Sequence, residues 1–126
     1  MLIRMKKLLI LILACFSLMA LKSDNPSDYM RFDKTTHDFG NIVQGIPVTA
    51  KFVITNISSE AIIINSIERQ CGCTTPKFNT TPIGKSESDT ITVGYNAAVI
   101  GAFTKKITVK TNFGNTELFI RGTVIQ

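Results

Sequence analysis

Between Ser23 and Gln126 the chain holds 14 Ile, 7 Val and 15 Thr but a single Leu, Leu118. Side chains branched at Cβ are stiff about χ1, which suits a pleated surface and disfavours a helix. The other seven Leu all lie within the first 21 residues. Two segments of different physical character are therefore joined in one chain, and the longer one reads as all-β.

Alternation supports that reading. Val48, Ala50, Phe52 and Ile54 alternate with Thr49, Lys51, Val53 and Thr55. Ile91, Val93 and Tyr95 alternate with Thr90, Thr92 and Gly94, and Leu118, Ile120 and Val124 with Glu117, Phe119, Arg121 and Thr123. Phe103, Ile107 and Val109 form a further period-2 face, on which Lys105 stands out of phase. Such patterns predict half-buried strands with one wet face. Residues 61–67 are a denser apolar run and predict a more central strand. Residues 74–88 carry two Pro, two Lys and little alternation, so they predict a crossover loop between two sheets. Polar residues at 56–60, the Asn112-Phe113-Gly114-Asn115 hairpin loop, Gly40 and Gly45-Ile46-Pro47 punctuate the runs. About seven short antiparallel strands spaced by turns predict an immunoglobulin-like β-sandwich. The Cys…Trp…Cys signature of antibody domains is absent, because there is no Trp.

The first 22 residues read as a signal peptide or a lipoprotein signal. They hold Arg4, Lys6, Lys7 and Lys22 and no acid, and residues 8–21 are apolar except Ser17. A bilayer span needs roughly 20 such residues, whereas a signal-peptide core is shorter. Leu18-Met19-Ala20 is a poor small-x-small cleavage site. Ile12-Leu13-Ala14-Cys15 resembles a bacterial lipoprotein signal, in which Cys15 would be lipidated, although Leu13 is large and the apolar run continues beyond it. Soluble export is the first reading and lipidation the second. Both place the folded part in the periplasm or outer cell envelope, with membrane contact only through a lipidated Cys15 or a retained leader. Residues 23–29 read as a short solvated linker and residues 30–126 as the domain. From residue 23 onward ten basic face nine acidic side chains, so the basic face that nucleic acid requires is missing.

Cys71-Gly72-Cys73 is the one motif with chemistry in it. A disulfide between residues two apart needs a turn bringing the Cα atoms within about 7 Å, and Gly72 makes such a turn accessible. A ring this small constrains the unfolded chain little and suits a reversible redox pair better than a staple. Two thiolates on one turn are also a soft-metal pair fit for Cu(I); zinc would need further ligands. The third reading is a loop corner with two inert thiols. His37 reads as a polar strand or turn residue. Asp38-Phe39-Gly40 matches the kinase metal-binding triplet without its companion motifs, and Gly84-Lys85-Ser86 the end of a phosphate-binding loop whose first Gly is Asn79 here. Asp33 with Asp38, and Glu87 with Asp89, read as solvated carboxylates. Asn56-Ile57-Ser58 and Asn79-Thr80-Thr81 are glycosylation sequons, relevant only to a eukaryotic secretory pathway. Lys105, Lys106 and Lys110 make one strand basic, which is expected to discourage edge-to-edge pairing.

Taken in order, Phe32-Asp33, Asp38-Phe39-Gly40-Asn41-Ile42, Gly45, Phe52, Asn56, Cys71-Gly72-Cys73-Thr74 with Pro76, Pro82-Ile83, Gly101-x-Phe103, Thr111-Asn112 and Gly122-x-Val124 form a longer pattern. It resembles a bacterial envelope family known only as a domain of unknown function with a C-G-C-T-x-P signature. That family is similar to the immunoglobulin-like domains of the pilus-chaperone and major-sperm-protein superfamily. Ser58-Ser59 and Gly84-Lys85 depart from it at turns, where Gly and Pro-Gly are usual. The resemblance implies the sandwich and an envelope location, and no assigned activity. The expected function is a non-enzymatic protein-interaction or structural module whose partner is another envelope protein or surface component, bound through a sheet edge or the loops at one end. No catalytic residue, resident metal or cofactor is expected. The alternative is a thiol-redox or Cu(I)-binding protein acting through Cys71 and Cys73.

Overall fold

The computed structural model describes residues 1–17 and 24–126. The expected cleavage segment Leu18-Met19-Ala20 lies outside the described residues. Helix α1 spans Leu2–Ser17, and a 3-10 turn at Pro26–Asp28 is capped by the Asn25 side chain. Eight strands follow: β1 Met30–Phe32, β2 Thr36–Val43, β3 Val48–Asn56, β4 Ile64–Arg69, β5 Thr74–Lys77, β6 Ser88–Tyr95, β7 Gly101–Thr111 and β8 Gly114–Ile125. They form two four-stranded sheets, β1-β3-β6-β5 and β2-β8-β7-β4. This is an immunoglobulin-like β-sandwich.

The core is what the alternation requires. Ala50, Phe52 and Ile54 from β3 and Ile91, Val93 and Tyr95 from β6 are buried, as are Phe103, Ile107 and Val109 from β7 and Leu118, Ile120 and Val124 from β8. Their polar neighbours face outward. A fully buried aliphatic or Phe side chain contributes about 1.5–3 kcal/mol, so these four strands carry most of the apolar stabilisation.

Several sequence expectations need correction. There are eight strands, not about seven, and β2 runs parallel to β8, pairing Thr36 with Phe119 and Val43 with Ile125. The loop expected at 74–88 contains β5, four residues long and paired with β6 from Thr74↔Tyr95 to Lys77↔Thr92. Four residues carry too little periodicity to show. The run at 61–67, expected to be central, leads into β4, an edge strand. Its apolar density has another cause: Ile62 is fully buried and bridges to Ile83, Ile64 is buried in the core, and Ile63 is exposed. The basic strand β7 is not an edge, since β8 and β4 flank it. Lys106 pairs with Glu117 at 3.5 Å and Lys110 with Glu68 at 2.6 Å; these lysines make exposed cross-strand ion pairs instead of guarding an edge.

Within residues 24–29, expected as a solvated linker, Tyr29 stacks on Phe113 with ring centroids 4.1 Å apart. Pro26 lies over Gly114, where an added Cβ would meet Pro26 Cγ at 2.8 Å. Gly114 also has φ +113°, so the hairpin loop needs glycine for both space and backbone.

One buried polar group fastens an end of the sandwich. Asn56, at the end of β3, is wholly buried. Its Nδ2 donates to the Glu60 carbonyl at 2.7 Å and the Ile83 carbonyl at 2.8 Å. Its Oδ1 accepts from the Ser58 N–H and hydroxyl, each at 2.8 Å, and its backbone joins Glu87 and Ser86. The chain on either side of the sheet-to-sheet crossings is thus tied to one amide. Asn56→Ala would remove the side-chain bonds to Glu60, Ile83 and Ser58, although the Ile83 carbonyl keeps the Ile62 N–H at 2.9 Å and the Glu60 carbonyl the Ser58 hydroxyl at 2.9 Å; we expect a loss of roughly 1–3 kcal/mol. Urea unfolding should show a lower midpoint at unchanged slope; a loss below about 0.5 kcal/mol would contradict this account.

Candidate functional site

The Cys71-Gly72-Cys73 turn exists because β4 stops early. Its last residue, Arg69, pairs with Ile107, although β7 begins at Gly101. Beyond Arg69 the chain crosses to the other sheet, where Thr74 opens β5 opposite Tyr95. Gln70 makes the last contact with β7, its Oε1 accepting the Lys106 N–H at 3.0 Å. Cys71 and Cys73 lie in the crossing, with Cα atoms 5.3 Å apart and their sulfurs bonded as a disulfide.

The turn is closed by more than sulfur. The Cys71 carbonyl accepts the Thr74 hydroxyl at 3.2 Å and the Thr74 N–H at 3.5 Å. Arg69 Nη1 reaches over the turn to the Thr74 carbonyl at 2.9 Å, and the Cys73 carbonyl accepts the Asn96 N–H at 3.1 Å. Thr74 is buried, and Cys73 packs against the core.

Beside the turn is a cavity of about 540 Å³ whose wall includes Cys73, Tyr95, Val99, Ile100, Phe103 and Lys105. Tyr95 and Phe103 stack with centroids 4.0 Å apart, and burial raises the Tyr95 pKa above its ordinary value. The neighbouring loops are pinned together: Gly45 N–H donates to the Ala97 carbonyl at 2.9 Å, Gln44 N–H to that of Ile125 at 2.8 Å, and Gln44 Nε2 to that of Ala98 at 3.1 Å. Gly45 has φ +78°, and Ala97, fully buried, holds φ +54°, a conformation that non-glycine residues adopt only when their surroundings enforce it. Val43, Ile46, Val99, Ile100 and Ile125 are all at this end and between 40% and 75% exposed. They are five of the seven exposed large hydrophobic side chains among residues 24–126.

The remaining sequence candidates are structural. Asp38-Phe39-Gly40 forms a bulge in β2, with φ +66° at Gly40 and a register shift against β8. Asp38 accepts the Gly40 N–H at 2.9 Å and Arg121 Nε at 3.1 Å. The Gly40 N–H does most to lower the Asp38 pKa; burial opposes it, and the Arg121 charge and hydrogen bond add to the lowering. Gly122 must be glycine here, because a Cβ would lie 2.8 Å from the Gly40 carbonyl and 3.1 Å from the Phe103 ring. Gly84-Lys85-Ser86 is a turn closed by Glu87 on the Gly84 N–H at 2.8 Å. Asp33 accepts the Val53 N–H at 2.8 Å, and Asp89 the Thr90 N–H at 2.7 Å. The Asn56 sequon cannot take a glycan, since both amide hydrogens are used in the interior. Asn79 is exposed and bonds Asp89. Cys15 is an exposed free cysteine of α1. Among the described residues no group of three or more His, Cys, Asp or Glu side chains could hold a metal ion. A second groove, about 510 Å³, lies at the opposite end between Met30, Phe32, Ile57 and Glu117, and it holds neither cysteine nor histidine.

The sequence matches the family model described as a protein of unknown function, DUF1573, over residues 30–124. The chain belongs to this family. Among curated protein sequences the DUF1573 chain has no match. A protein of unknown function from Porphyromonas gingivalis is similar in structure, with TM-score 0.66 and 14% identity, covering 75% of this chain and 46% of that one. The present chain thus spans under half the length of that relative. The ASH / PapD-like domain of human CEP192 gives TM-score 0.71 at 7% identity, covering 86% and 94%. A C. elegans MSP family member gives 0.51 at 9% identity, covering 77% and 98%. At these identities the likeness concerns the fold alone, and it agrees with the expected similarity to PapD-like and MSP-type sandwiches.

His37 lies in β2, with Nδ1 2.9 Å from Lys34 Nζ and its ring edge-on to Phe39 at 4.6 Å. Burial first, and then the Lys34 charge, lowers its pKa against the pull of Asp38. An unfolded chain therefore takes up a proton that the folded one refuses. This contribution to stability is complete above the ordinary value of about 6.5 and declines as pH falls toward the folded pKa. Titrating His37 by NMR should give a midpoint below 6.5, and Lys34→Met should raise it.

The disulfide closes a three-residue ring, for which chain entropy gives at most about 1.5 kcal/mol, half of what a 15-residue loop gives. With the turn held by Thr74, Arg69 and Asn96, the Cys71→Ser, Cys73→Ser double variant should remain folded and lose no more than that in urea. A loss beyond about 3 kcal/mol would show the bridge to be a staple.

Proposed function

We propose that this DUF1573 chain is an exported cell-envelope domain, non-enzymatic, that docks another envelope protein on its apolar end. The observation that carries the reading is the gathering of Val43, Ile46, Val99, Ile100 and Ile125, all exposed, at one end of the sandwich, where Val99 and Ile100 also line the cavity. Contiguous exposed apolar surface marks an interaction site more often than scattered side chains do. The near-neutral charge of residues 23–126 favours a partner recognised by shape and apolar contact.

The sheet edges are weaker candidates for strand addition. β1 has three residues and β5 four, the latter including Pro76. β2 is interrupted at Gly40 and β4 shifts register between Ile64 and Ser66. Such short or irregular edges resist pairing with another chain. Support for export comes from the basic start and the 14-residue apolar run of the leader. Among the described residues no helix is long and apolar enough to cross a membrane. Lipidation at Cys15 is the variant of this reading in which the domain is tethered.

The test is capture of the tagged chain from the envelope of its own kind of cell, side by side with a Val99→Asp, Ile100→Asp variant. The wild type should retain a specific protein that the variant binds at least about tenfold more weakly. Circular dichroism and melting temperature should be unchanged, since both side chains are exposed. The captured wild type should begin near residues 21–24 by intact mass, or at a lipidated Cys15. A clean capture under native conditions, or equal binding by the variant, would sink the docking reading.

A further inference from the structure

We propose that Cys71–Cys73 is a thiol–disulfide exchange site for a partner dithiol, with Lys105 holding the departing Cys73 sulfur as a thiolate. The inference stands apart from the docking reading, because a small dithiol suffices to test it.

Lys105 carries the argument. It is on the inward face of β7, between Phe103 and Ile107, opposite the fully buried Ile120. A charged side chain on a core-facing position is costly unless something offsets it. Its strand neighbours Lys106 and Lys110 have carboxylate partners, whereas among the described residues Lys105 has no ion pair. Instead it lines the cavity that Cys73 lines, and no Asp or Glu shares that wall to compete for the ammonium. An adjacent cation lowers a thiol pKa and makes that sulfur a better leaving group.

The turn is arranged for opening without collapse. Hydrogen bonds from Thr74, Arg69 and Asn96 hold its backbone on both sides of the bridge, so breaking the bond need not release the crossing. In-line attack approaches Cys71 from the side away from Cys73, which is seated against the core. A partner thiolate attacks Cys71 Sγ, a partner–Cys71 disulfide forms, and the Sγ–Sγ bond breaks with its electron pair passing to Cys73. The partner's second thiol, deprotonated, then attacks the partner's own bridging sulfur and expels Cys71 as thiolate. The partner dithiol is oxidised to a disulfide and the Cys71–Cys73 pair is reduced by two electrons; of the two protons released, one ends on Cys71 and the other passes to solvent, leaving Cys73 a thiolate beside Lys105.

The experiment follows reduction of the full chain by dithiothreitol at pH 7, quenched by alkylation and read by intact mass, with circular dichroism alongside. The wild type should be reduced at millimolar dithiothreitol with its fold retained. Lys105→Gln should slow reduction about threefold, the effect of about one unit in leaving-group pKa. Lys106→Gln, on the opposite face, should leave the rate unchanged. In the Cys71→Ser variant, Cys73 should alkylate with a midpoint below the ordinary thiol value of ~8.5, a reading that does not depend on Lys105→Gln folding. Equal rates for wild type and Lys105→Gln, a Cys73 midpoint at or above the ordinary value, or a bridge that yields only when the fold is lost would each overturn the proposal.

Discussion

The side-chain amide of Asn56 is the contact on which the arrangement of the sandwich turns. The chain crosses between sheets after β3 and again after β4, and each crossing exposes backbone groups that must find partners. At the Asn56 end they converge on one residue: the amide satisfies Glu60, Ile83 and Ser58, and the backbone satisfies Ser86 and Glu87. No buried side-chain nitrogen or oxygen is left without a partner among the described residues. A fully satisfied polar network of this kind rigidifies its surroundings, whereas a half-satisfied one costs more than it gives. With that end fixed, the opposite end can carry exposed aliphatic loops, a left-handed Ala97 and a two-residue disulfide turn without endangering the fold.

The form of the end opposite Asn56 follows from strand lengths. β7 runs eleven residues and β8 twelve, but β4 covers β7 only from Ile107 onward. The cavity lies where β4 no longer runs beside β7, lined by Ala102, Phe103, Thr104 and Lys105. Phe103 forms part of its wall, stacked on Tyr95 and admitted by the missing Cβ of Gly122. Lys105, next on the same face, lines it too. The cavity, the inward lysine and the crossing turn therefore share one cause.

The regular part of this architecture was legible in the sequence because β3, β6, β7 and β8 are long enough for period-2 alternation to appear, and each buries one face against the opposite sheet. β1 and β5 are too short to show a period, and β2 is polar and broken by the Gly40 bulge, so its parallel pairing with β8 left no trace in composition. Edge or centre could not be read from apolar density: residues 61–67 look central because Ile62 and Ile64 serve two different contacts. Asn56 was visible as a sequon and as one residue of the longer pattern, but not as a buried tie, because a buried amide and an exposed one look alike in a string of letters. A sharper signal was the phase of Lys105, a charge on an otherwise apolar face. Its two neighbouring lysines suggested a strand edge and hid it. Cys71 and Cys73 stood out from their spacing, but the hydrogen bonds that make their turn independent of the bridge come from Arg69, Thr74 and Asn96, which no short motif would have joined.

The hydrogen-bonded turn also bears on how the proposed docking surface and the proposed exchange site can share one end. If the bridge shaped the surface, opening it would scatter the loops, and binding would be lost together with order. Here the loops that carry Val99, Ile100 and Ile46 are tied to one another through Gly45, Ala97 and Gln44, without passing through either cysteine. Opening the bridge changes the cavity wall chemically: a neutral disulfide beside Lys105 becomes a thiol and a thiolate that the ammonium can pair with. An isolated lysine beside an apolar surface weakens apolar docking, whereas a lysine paired within its own cavity presents less uncompensated charge to an approaching partner. With exchange and docking as proposed, the redox state of Cys71 and Cys73 would act on the apolar end through the electrostatics of one side chain, while the fold, fastened at Asn56, stays the same.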